Sequence, residues 1–365
     1  MRLAFYGSSL LSGYWNGAAT YYRGLVRALS ALGVETTFYE PDAFDRQAHR
    51  DIEPPGWARV VVWPATEAGL RAALSEARAA DVVVKASGVG VFDDALVEGA
   101  LREAAPQAAR VFWDVDAPAT LAALAEGREP ALKAALPRFD AVLTYGGGDP
   151  VIRAYAAEGA RFCAPIYNAL DPDTHHPVPP DPRFAADLAF LGNRLPDREA
   201  RVEAFLFEAA RARPEARFLL GGAGWEPDRL PANVRHLGHV GAADHNAFNV
   251  TPRAVLNVSR ASMAATGWSP ATRVFEAAGA GACLVTDAWE GLDMFLTPDR
   301  EVLVARDGAE LAAHLDALTP GRAAEIGAAA RRRALRDHSY DARAKQALAL
   351  FEDLLAARRG RRLSA

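Results

Sequence analysis

The stretch SPATRVFEAAGAGACLVTD, residues 269–287, predicts a helix that runs directly into a buried strand. Ser269 is a suitable N-cap, and Pro270 behind it suits the first helical position, where a missing N–H costs nothing. Gly279 and Gly281 then predict the end of the helix, because glycine readily adopts the left-handed conformation that helix ends often need. The apolar run ACLV that follows is typical of a strand in a parallel sheet with both faces covered. The stretch therefore predicts one helix–strand unit of an α/β sheet.

The start of this helix carries groups suited to a nucleotide. The first free N–H groups and the positive end of the helix dipole attract anions. Thr272 and Arg273 lie in the first turn and would add a hydroxyl and a guanidinium to a diphosphate. Glu276 lies on the same face, where a carboxylate can accept hydrogen bonds from a ribose. The alternative is that Glu276 only complements the dipole and pairs with Arg273.

Three segments of the chain resemble the carboxyl-terminal half of GT-B glycosyltransferases: RVFEAAGAG, VTDAWEGL and DREVLVARD, all between residues 273 and 307. The similarity is greatest to the spore-maturation (CgeB-like) branch of the group-1 glycosyltransferases. The resemblance implies that Arg273 binds the donor diphosphate and that Glu276 binds the ribose. Retaining group-1 enzymes carry a second glutamate eight residues earlier, where this chain has Trp268, so the resemblance does not predict the stereochemistry of transfer.

Composition sets the broad class. The chain has 365 residues, half of them hydrophobic, which is enough for two domains that each have a core. A net charge of −5 gives no reason to expect nucleic acid or an anionic membrane as a partner. Cys163 and Cys283 lie in apolar segments, which predicts buried thiols and a reducing compartment. Since we also find no targeting segment and no run of ~18 apolar residues, we expect a cytoplasmic protein without a transmembrane segment.

One layout occurs twice along the chain. A short apolar strand, at residues 3–7 and again at 188–192, leads into a glycine-containing loop and then a helix. This layout is typical of a ligand site at the carboxyl edge of a parallel sheet. It lacks the G-x-G-x-x-G spacing of a dinucleotide fingerprint, which argues against an oxidoreductase. We predict an α/β chain of two Rossmann-like domains, and the resemblance implies the GT-B arrangement, in which the two parallel sheets face each other across a cleft.

A proline-rich segment after the paired histidines predicts a stiff linker between the domains. We therefore expect residues 1–178 to form an acceptor-binding domain and residues 179–340 to form the nucleotide-sugar donor domain. The resemblance implies that the last helix, residues 341–365, crosses back to the first domain. It also implies that the loop after the first strand faces the cleft, which makes Ser8, Tyr14, Asn16 and Gly17 acceptor candidates. The alternative for that loop is that Tyr14 and Trp15 only cover an apolar edge.

The best candidates for a catalytic base are Asp114 and Asp116. They end the apolar strand RVFWDVD, and the proline at 118 stops any further ladder. If the strand continues, the two carboxylates share one face, since strand side chains alternate. Such a pair can deprotonate a hydroxyl, and WDVDxP also resembles a cleft-facing motif of the CgeB-like family. We place Asp116 slightly ahead; the alternative is an N-cap and a buried structural carboxylate.

The second domain contributes further donor candidates in three loops. Gly192, Asn193 and Arg194 follow its first strand, where the resemblance implies contact with the donor diphosphate; Arg198 is a weaker candidate. Trp225 follows a glycine-rich turn and could stack on the base, an arrangement worth ~1–3 kcal/mol, or cap the core. The remaining candidates immediately precede the central helix: Thr266, Gly267 and Trp268.

The adjacent residues His175 and His176 do not predict a metal site. Neighbouring side chains rarely point at one ion, and no cysteine or histidine follows at ligand spacing. We therefore predict no metal and no cofactor, with a UDP-, GDP- or dTDP-sugar as co-substrate. Arginines and the helix end would neutralise the leaving diphosphate, and Asp116 would take the acceptor proton if the reaction inverts.

The leading hypothesis is a hexosyltransferase type of glycosyltransferase that acts on a glycan, glycolipid, protein or small-molecule hydroxyl. No serine–histidine–acid order, Walker loop or zinc spacing is present in the sequence. Two alternatives stay open. One is a nucleotide-sugar epimerase of the same two-domain build, and the other is a protein that only binds a nucleotide or glycan, which the tryptophan in place of the expected glutamate would explain.

Overall fold

The structure, a computed structural model, describes residues 1–14 and 16–363. The chain divides into two compact units: unit 1 comprises residues 1–167 together with the chain from Tyr340 onward, and unit 2 is Asn168–Ser339. Unit 2 thus begins ahead of the predicted boundary at 178/179. The reason is that the segment that starts at Asn168 makes its hydrogen bonds within unit 2. The Asn168 Nδ2 donates to the Pro270 carbonyl (3.4 Å), and the Leu170 N–H donates to the His338 carbonyl (2.7 Å).

The described part of unit 1 is built on a seven-stranded, fully parallel sheet in the order β3-β2-β1-β4-β5-β6-β7. Its strands are β1 (Arg2–Tyr6), β2 (Glu35–Asp42), β3 (Arg59–Pro64), β4 (Val82–Ala86), β5 (Ala109–Asp114), β6 (Ala141–Thr144) and β7 (Cys163–Pro165). The helices between them are α1 (Ala19–Ala31), α2 (Glu67–Ser75), α3 (Asp93–Glu103), α4 (Ala117–Ala125), α5 (Pro130–Ala135) and α6 (Gly148–Ala157).

Unit 2 contains a six-stranded parallel sheet in the order β10-β9-β8-β11-β12-β13. Its strands are β8 (Leu188–Leu191), β9 (Phe218–Gly221), β10 (Val234–Gly238), β11 (Ala254–Asn257), β12 (Leu284–Asp287) and β13 (Leu303–Ala305). Its helices are α7 (Glu199–Val202), α8 (Glu208–Ala212), α9 (His245–Val250), α10 (Ala261–Thr266), α11 (Thr272–Ala280), α12 (Gly308–Ala317) and α13 (Pro320–Asp337); a π-helical turn joins α7 to α8.

The last helix, α14 (Tyr340–Leu363), packs on α1 within unit 1. Gly24 of α1 makes this contact possible, because a Cβ at that position would lie 2.2 Å from the Tyr340 ring. Among the described helices, none is both long enough and apolar enough to span a bilayer.

Both sheets reverse their strand order once, between β1 and β4 in unit 1 and between β8 and β11 in unit 2. This is the doubly wound order of Rossmann-like domains, so the prediction of an α/β chain with two such domains is confirmed. In open α/β sheets, ligands bind outside the carboxyl ends of the strands at this reversal. The reversal in unit 2 therefore singles out the loops that follow β8 and β11, and the chain after β11 continues through α10 to α11.

The central helix differs from the prediction at its start. It begins at Thr272 with Ala271 as the capping residue, and the hydroxyl of Ser269 instead donates to the Gly267 carbonyl (2.9 Å). Gly281 ends the helix in the left-handed conformation, at φ 80°, as predicted. Gly279 is no stop signal: it lies inside the helix, where a Cβ would be 2.7 Å from the His175 carbonyl, so close packing requires glycine there.

Candidate functional site

Three arginines lie close together at the reversal point of unit 2. Arg198 follows the β8 loop, Arg260 follows β11, and Arg273 lies in the first turn of α11. Burial lowers the pKa of the Arg198 guanidinium, and the positive charges of the other two lower it further. Its Nε is enclosed and has no hydrogen-bond partner among the described residues. Asp197 opposes these effects on Arg198 and pairs with Arg260 at 2.7 Å, and Glu276 pairs with Arg273 at 3.1 Å. The three arginines still outnumber these two carboxylates, which suits the region to an anion.

Arg273 and Glu276 form an ion pair at the start of α11. The Nη1 of Arg273 lies 3.1 Å from Oε2 of Glu276, so the pairing weighed in the sequence analysis is present. Both side chains are largely enclosed, at 15% and 12% exposure. Burial would raise the pKa of Glu276, but Arg273 and two nearby histidines outweigh it and lower the pKa below its usual value. The carboxylate is therefore ionised and can accept hydrogen bonds.

The two histidines beside Glu276 come from different parts of unit 2. His175 Nε2 lies 3.8 Å from the Glu276 carboxylate, and His245 is the first residue of α9. Burial lowers the pKa of both imidazoles, which keeps them neutral at pH 7. His176 instead is exposed, so the two adjacent histidines do point apart as predicted. Nothing in the sequence singles out His245, because it lies far along the chain from both His175 and Glu276 and shows no ligand spacing with either.

In the loop after β8, the structure favours Arg198 over Arg194 as a ligand for the diphosphate, the reverse of the order predicted from the sequence. Arg194 lies between two carboxylates, with Nε 2.8 Å from Glu199 and Nη1 3.0 Å from Glu226, and this pairing raises its pKa. Its charge is thus already neutralised, which disfavours the predicted diphosphate contact. The weaker candidate, Arg198, is the one that lies near Arg273.

Gly192 and Asn193 shape the same loop through backbone contacts. The side-chain oxygen of Asn193 accepts from the Ala223 N–H (2.9 Å), and the Gly192 carbonyl accepts from the indole N–H of Trp225 (2.8 Å). Trp225 is 6% exposed and makes edge contacts with Phe190 and another core ring. These contacts favour the alternative in which Trp225 caps the core rather than stacking on a base.

The loop before α11 is held in an unusual conformation. Trp268 has φ 44°, which is rare for a tryptophan, and its N–H donates to the Glu290 carbonyl (2.6 Å). Its indole packs so closely on Gly291 that a Cβ there would be 2.1 Å from the ring. Thr266 closes α10 by donating to the Ser262 carbonyl (2.9 Å), and Gly267 is buried with φ 72°. These residues fix the path of the chain as it enters α11 at the partly exposed Thr272. Strained backbone conformations such as that of Trp268 occur frequently at ligand-binding sites.

A buried carboxylate that the site prediction left out holds the loop after β11. Asp287, fully enclosed at the end of β12, accepts from both the N–H (3.0 Å) and the hydroxyl (3.1 Å) of Ser259. It also pairs with Arg201 at 2.6 Å. This clamp ties the carboxyl ends of two neighbouring strands together and positions the approach to α10 and α11.

In unit 1, Asp114 and Asp116 do not share a strand face. The strand β5 ends at Asp114, whose carboxylate is completely buried. It accepts from the hydroxyls of Ser87 (2.7 Å), Thr120 (2.9 Å) and Tyr155 and from the Asp116 N–H (3.0 Å). Because these donors occupy it, Asp114 fits the alternative of a structural carboxylate. Burial raises its pKa despite them.

Asp116 lies at the helix N-cap, the position named as the alternative in the sequence analysis. It precedes α4 as the N-cap residue, yet its side chain makes no capping hydrogen bond to that helix. The residue is partly exposed and lies next to the carboxyl end of β5. Its backbone N–H is fixed by Asp114, so the enclosed carboxylate positions the accessible one. Asp116 is thus the better placed of the two for proton transfer.

The acceptor candidates of unit 1 divide into two kinds. The hydroxyl of buried Ser8 donates to the Asn16 side chain (2.9 Å), whose Nδ2 donates to the carbonyls of Ser9 and Ser12, so both residues brace the β1–α1 loop internally. Tyr14 is 40% exposed and stacks on His49 with ring centroids 4.0 Å apart. Gly17 is exposed as well. Trp15, paired with Tyr14 in the alternative reading, lies outside the described residues.

Comparison with known families locates the similarity in the second half of the chain. Residues 198–349 match the model of a family described as "Glycosyl transferase-like". No curated protein matches the chain at a significant level. The matched segment includes Arg198, Arg260 and α11. It agrees with the resemblance to group-1 glycosyltransferases, and the CgeB-like branch stays a prediction.

Solved structures share the fold over nearly the whole chain at low sequence identity. A sucrose-phosphate synthase from Thermosynechococcus elongatus has a TM-score of 0.74 at 16% identity, covering 98% of this chain and 100% of that one. The Anabaena protein HepE in complex with UDP and glucose has a TM-score of 0.65 at 14% identity, covering 97% and 100%. AviGT4, a glycosyltransferase involved in avilamycin A biosynthesis, has a TM-score of 0.61 at 20% identity, covering 98% of each chain. These matches confirm the predicted fold class, an α/β chain of two Rossmann-like domains with GT-B structural neighbours.

Proposed function

We propose that this chain is a glycosyltransferase that transfers a hexose from a nucleoside diphosphate-sugar to an acceptor hydroxyl. The observation that carries the proposal is the pairing of Arg273 and Glu276 at the start of α11, beside the partly buried Arg198, where the β8–β11 reversal favours a ligand. The proposal includes the CgeB-like branch of the group-1 enzymes and a cytoplasmic location.

Each part of the donor has a matching group in unit 2. The free N–H groups at the start of α11, with Arg273 and Arg198, suit the two phosphates. Glu276, ionised one turn further along, suits the ribose hydroxyls. Arginine charge at this position would stabilise the leaving diphosphate without a catalytic metal ion. Of the structural relatives, HepE has been solved with UDP and with UDP-glucose, which supports UDP as the first nucleotide to try.

Proton removal from the acceptor falls to Asp116 in this proposal. It is the accessible member of the pair, and its enclosed neighbour Asp114 fixes its backbone. A carboxylate in hydrogen-bond reach of the acceptor hydroxyl can act as general base in an inverting reaction. The acceptor itself is a glycan, a glycolipid, a protein or a small molecule.

The decisive experiment is a thermal-shift screen with UDP-, GDP- and dTDP-sugars, because a ligand that binds the folded state raises its melting temperature. We expect at least one donor to raise it in the wild type and none to do so in Arg273→Ala. Arg211→Ala is the matched control, since Arg211 also pairs with a glutamate three residues away on a helix, away from α11. If no donor stabilises the wild type, or if Arg273→Ala responds as the control does, the proposal is wrong.

An epimerase stays the second candidate, because such an enzyme needs a histidine and a carboxylate near the sugar and unit 2 brings His175 and Glu276 together. Product analysis with donor alone separates the two functions. An epimerase converts the donor sugar without any acceptor, whereas a transferase yields at most slow hydrolysis.

A further inference from the structure

A second feature of unit 2 stands apart from phosphate binding. His175, His245 and Glu276 come from three separate segments: the stretch that opens unit 2, the start of α9, and the first turn of α11. Each offers one ligand atom, and these three atoms all lie within 4.8 Å of one another. We call these residues the His-His-Glu cluster.

The donor atoms of the cluster suit a metal ion. Two imidazoles and one carboxylate form the donor set of several catalytic zinc sites, in which water takes the fourth position. Nitrogen donors disfavour Mg²⁺ and Ca²⁺, which prefer oxygen.

The groups behind the cluster are arranged as outer partners of a metal site usually are. His245 Nε2 lies 3.2 Å from the Val240 carbonyl, so this nitrogen donates its proton and the other ring nitrogen presents a lone pair. The second carboxylate oxygen of Glu276 is held by Arg273 at 3.1 Å, which leaves Oε1 directed toward His175. Both partners would orient ligands before any ion arrives.

Charges around the cluster oppose as well as favour a cation. Arg273 repels it, while Asp171 contributes a negative charge from the same segment as His175, and the exposed His176 is the remaining titratable neighbour on that segment. The carboxylates of Glu276 and Asp171 partly offset the arginine. A dication with strong imidazole affinity is the kind of ion that this balance allows.

We propose that the His-His-Glu cluster binds a divalent transition-metal ion of the zinc class through His175, His245 and Glu276. The site supplies no step of sugar transfer. The ion would bind Glu276, the carboxylate to which the proposed function assigns the ribose. A bound ion and a bound nucleotide would therefore compete for Glu276. The metal site itself does not depend on that proposed function.

The test uses the full chain freed of metal by a chelator and contains no nucleotide. Titration with Co²⁺, followed by visible absorption, should show a saturable tetrahedral spectrum that one equivalent of Zn²⁺ removes. His175→Gln, His245→Gln and Glu276→Gln should each weaken Co²⁺ binding at least about tenfold, since even outer-partner changes commonly cost that much. His176→Gln, at the exposed neighbouring histidine, should bind as the wild type does.

X-ray absorption of the wild-type protein with Zn²⁺ gives a readout that does not depend on whether variants fold. We expect two imidazole nitrogens and one or two oxygens at about 2.0–2.2 Å. An absent Co²⁺ spectrum, a coordination shell without two imidazoles, or equal weakening by His176→Gln and the three cluster variants would each overturn the proposal. Because no nucleotide is used, none of these results bears on sugar transfer.

Discussion

The guanidinium of Arg273 and the carboxylate of Glu276 are 3.1 Å apart, one helical turn from each other. The pairing reduces the cost of enclosing two charges. A diphosphate and a ribose would exchange it for contacts with a ligand. The nearby guanidinium also lowers the pKa of Glu276, so that its carboxylate is ionised.

Glu276→Ala tests whether this carboxylate recognises the ribose. We expect UDP affinity to fall by about 1.5–3 kcal/mol, the usual worth of hydrogen bonds to a charged group, or roughly ten- to a hundredfold. Titration calorimetry with UDP and its 2′-deoxy analogue sharpens the test. The wild type should prefer UDP, and the variant should bind both equally; a preference that survives the substitution would place the ribose elsewhere.

Replacing the two aspartates of unit 1 should separate catalysis from stability. Asp116→Asn should abolish transfer while the donor-induced rise in melting temperature persists, because the proposal assigns proton removal to this carboxylate and donor binding to unit 2. Asp114→Ala should lower the free energy of unfolding by about 3 kcal/mol or more, since it leaves several buried donors without an acceptor. Urea titration and a transfer assay on the same samples check both; full activity in Asp116→Asn rules it out as the base.

Trp225→Ala should act on stability alone. Removing a core tryptophan costs about 3–5 kcal/mol, and the change also leaves the Gly192 carbonyl without its indole donor. Nucleotide affinity, measured well below the melting temperature, should stay within about twofold of the wild type. A large loss of affinity in a variant that is still folded would restore the base-stacking role.

The two thiols should resist modification until the chain unfolds. Burial raises the pKa of both Cys163 and Cys283 to about 12, against an ordinary value near 8.5. Between pH 7 and 9 an ordinary thiol forms an appreciable fraction of the reactive thiolate, whereas these two stay almost entirely protonated. Reaction with a disulfide reagent should therefore be slow throughout this range in the native protein, even though its small rate rises with pH, and fast in urea. Rapid native reaction at pH 8 would contradict the burial of the thiols.

Zinc should antagonise the nucleotide if both use Glu276. With the preferred donor present, adding Zn²⁺ should reduce the thermal shift caused by that donor, and a chelator should restore it. His245→Gln keeps Arg273 and Glu276 but removes a metal ligand, so its donor response should no longer depend on Zn²⁺. Additive effects of metal and donor in the wild type would show that the two ligands do not share the carboxylate.

Much of the fold was predictable because its signals are local. The central helix ends at Gly281 as expected, since only a residue tolerant of φ 80° fits that position. Its start was misjudged, because Ser269 and Pro270 mimic a cap signal while the strained Trp268 delays the first turn to Thr272. At this position the packing of the preceding loop outweighs the preference of Ser269 and Pro270 for the start of a helix.

The candidate site was predictable only where its groups lie on one element. Arg273 and Glu276 are three residues apart, so helical periodicity places them together. His245 joins them only through the packing of α9 on α11, which no spacing in the sequence encodes. Likewise, the exposure of Asp116 and the enclosure of Asp114 depend on Ser87 and Tyr155, which come from other elements.

Unit 2 is one continuous piece of chain whose two ends meet, since Leu170 pairs with Ser339 and bonds to His338. Such a compact piece is a natural candidate for expression by itself or for circular permutation without a long linker. Unit 2 could thus be moved as a cassette into a related scaffold. An isolated 168–339 fragment would let its ligands be studied by NMR free of the remaining chain.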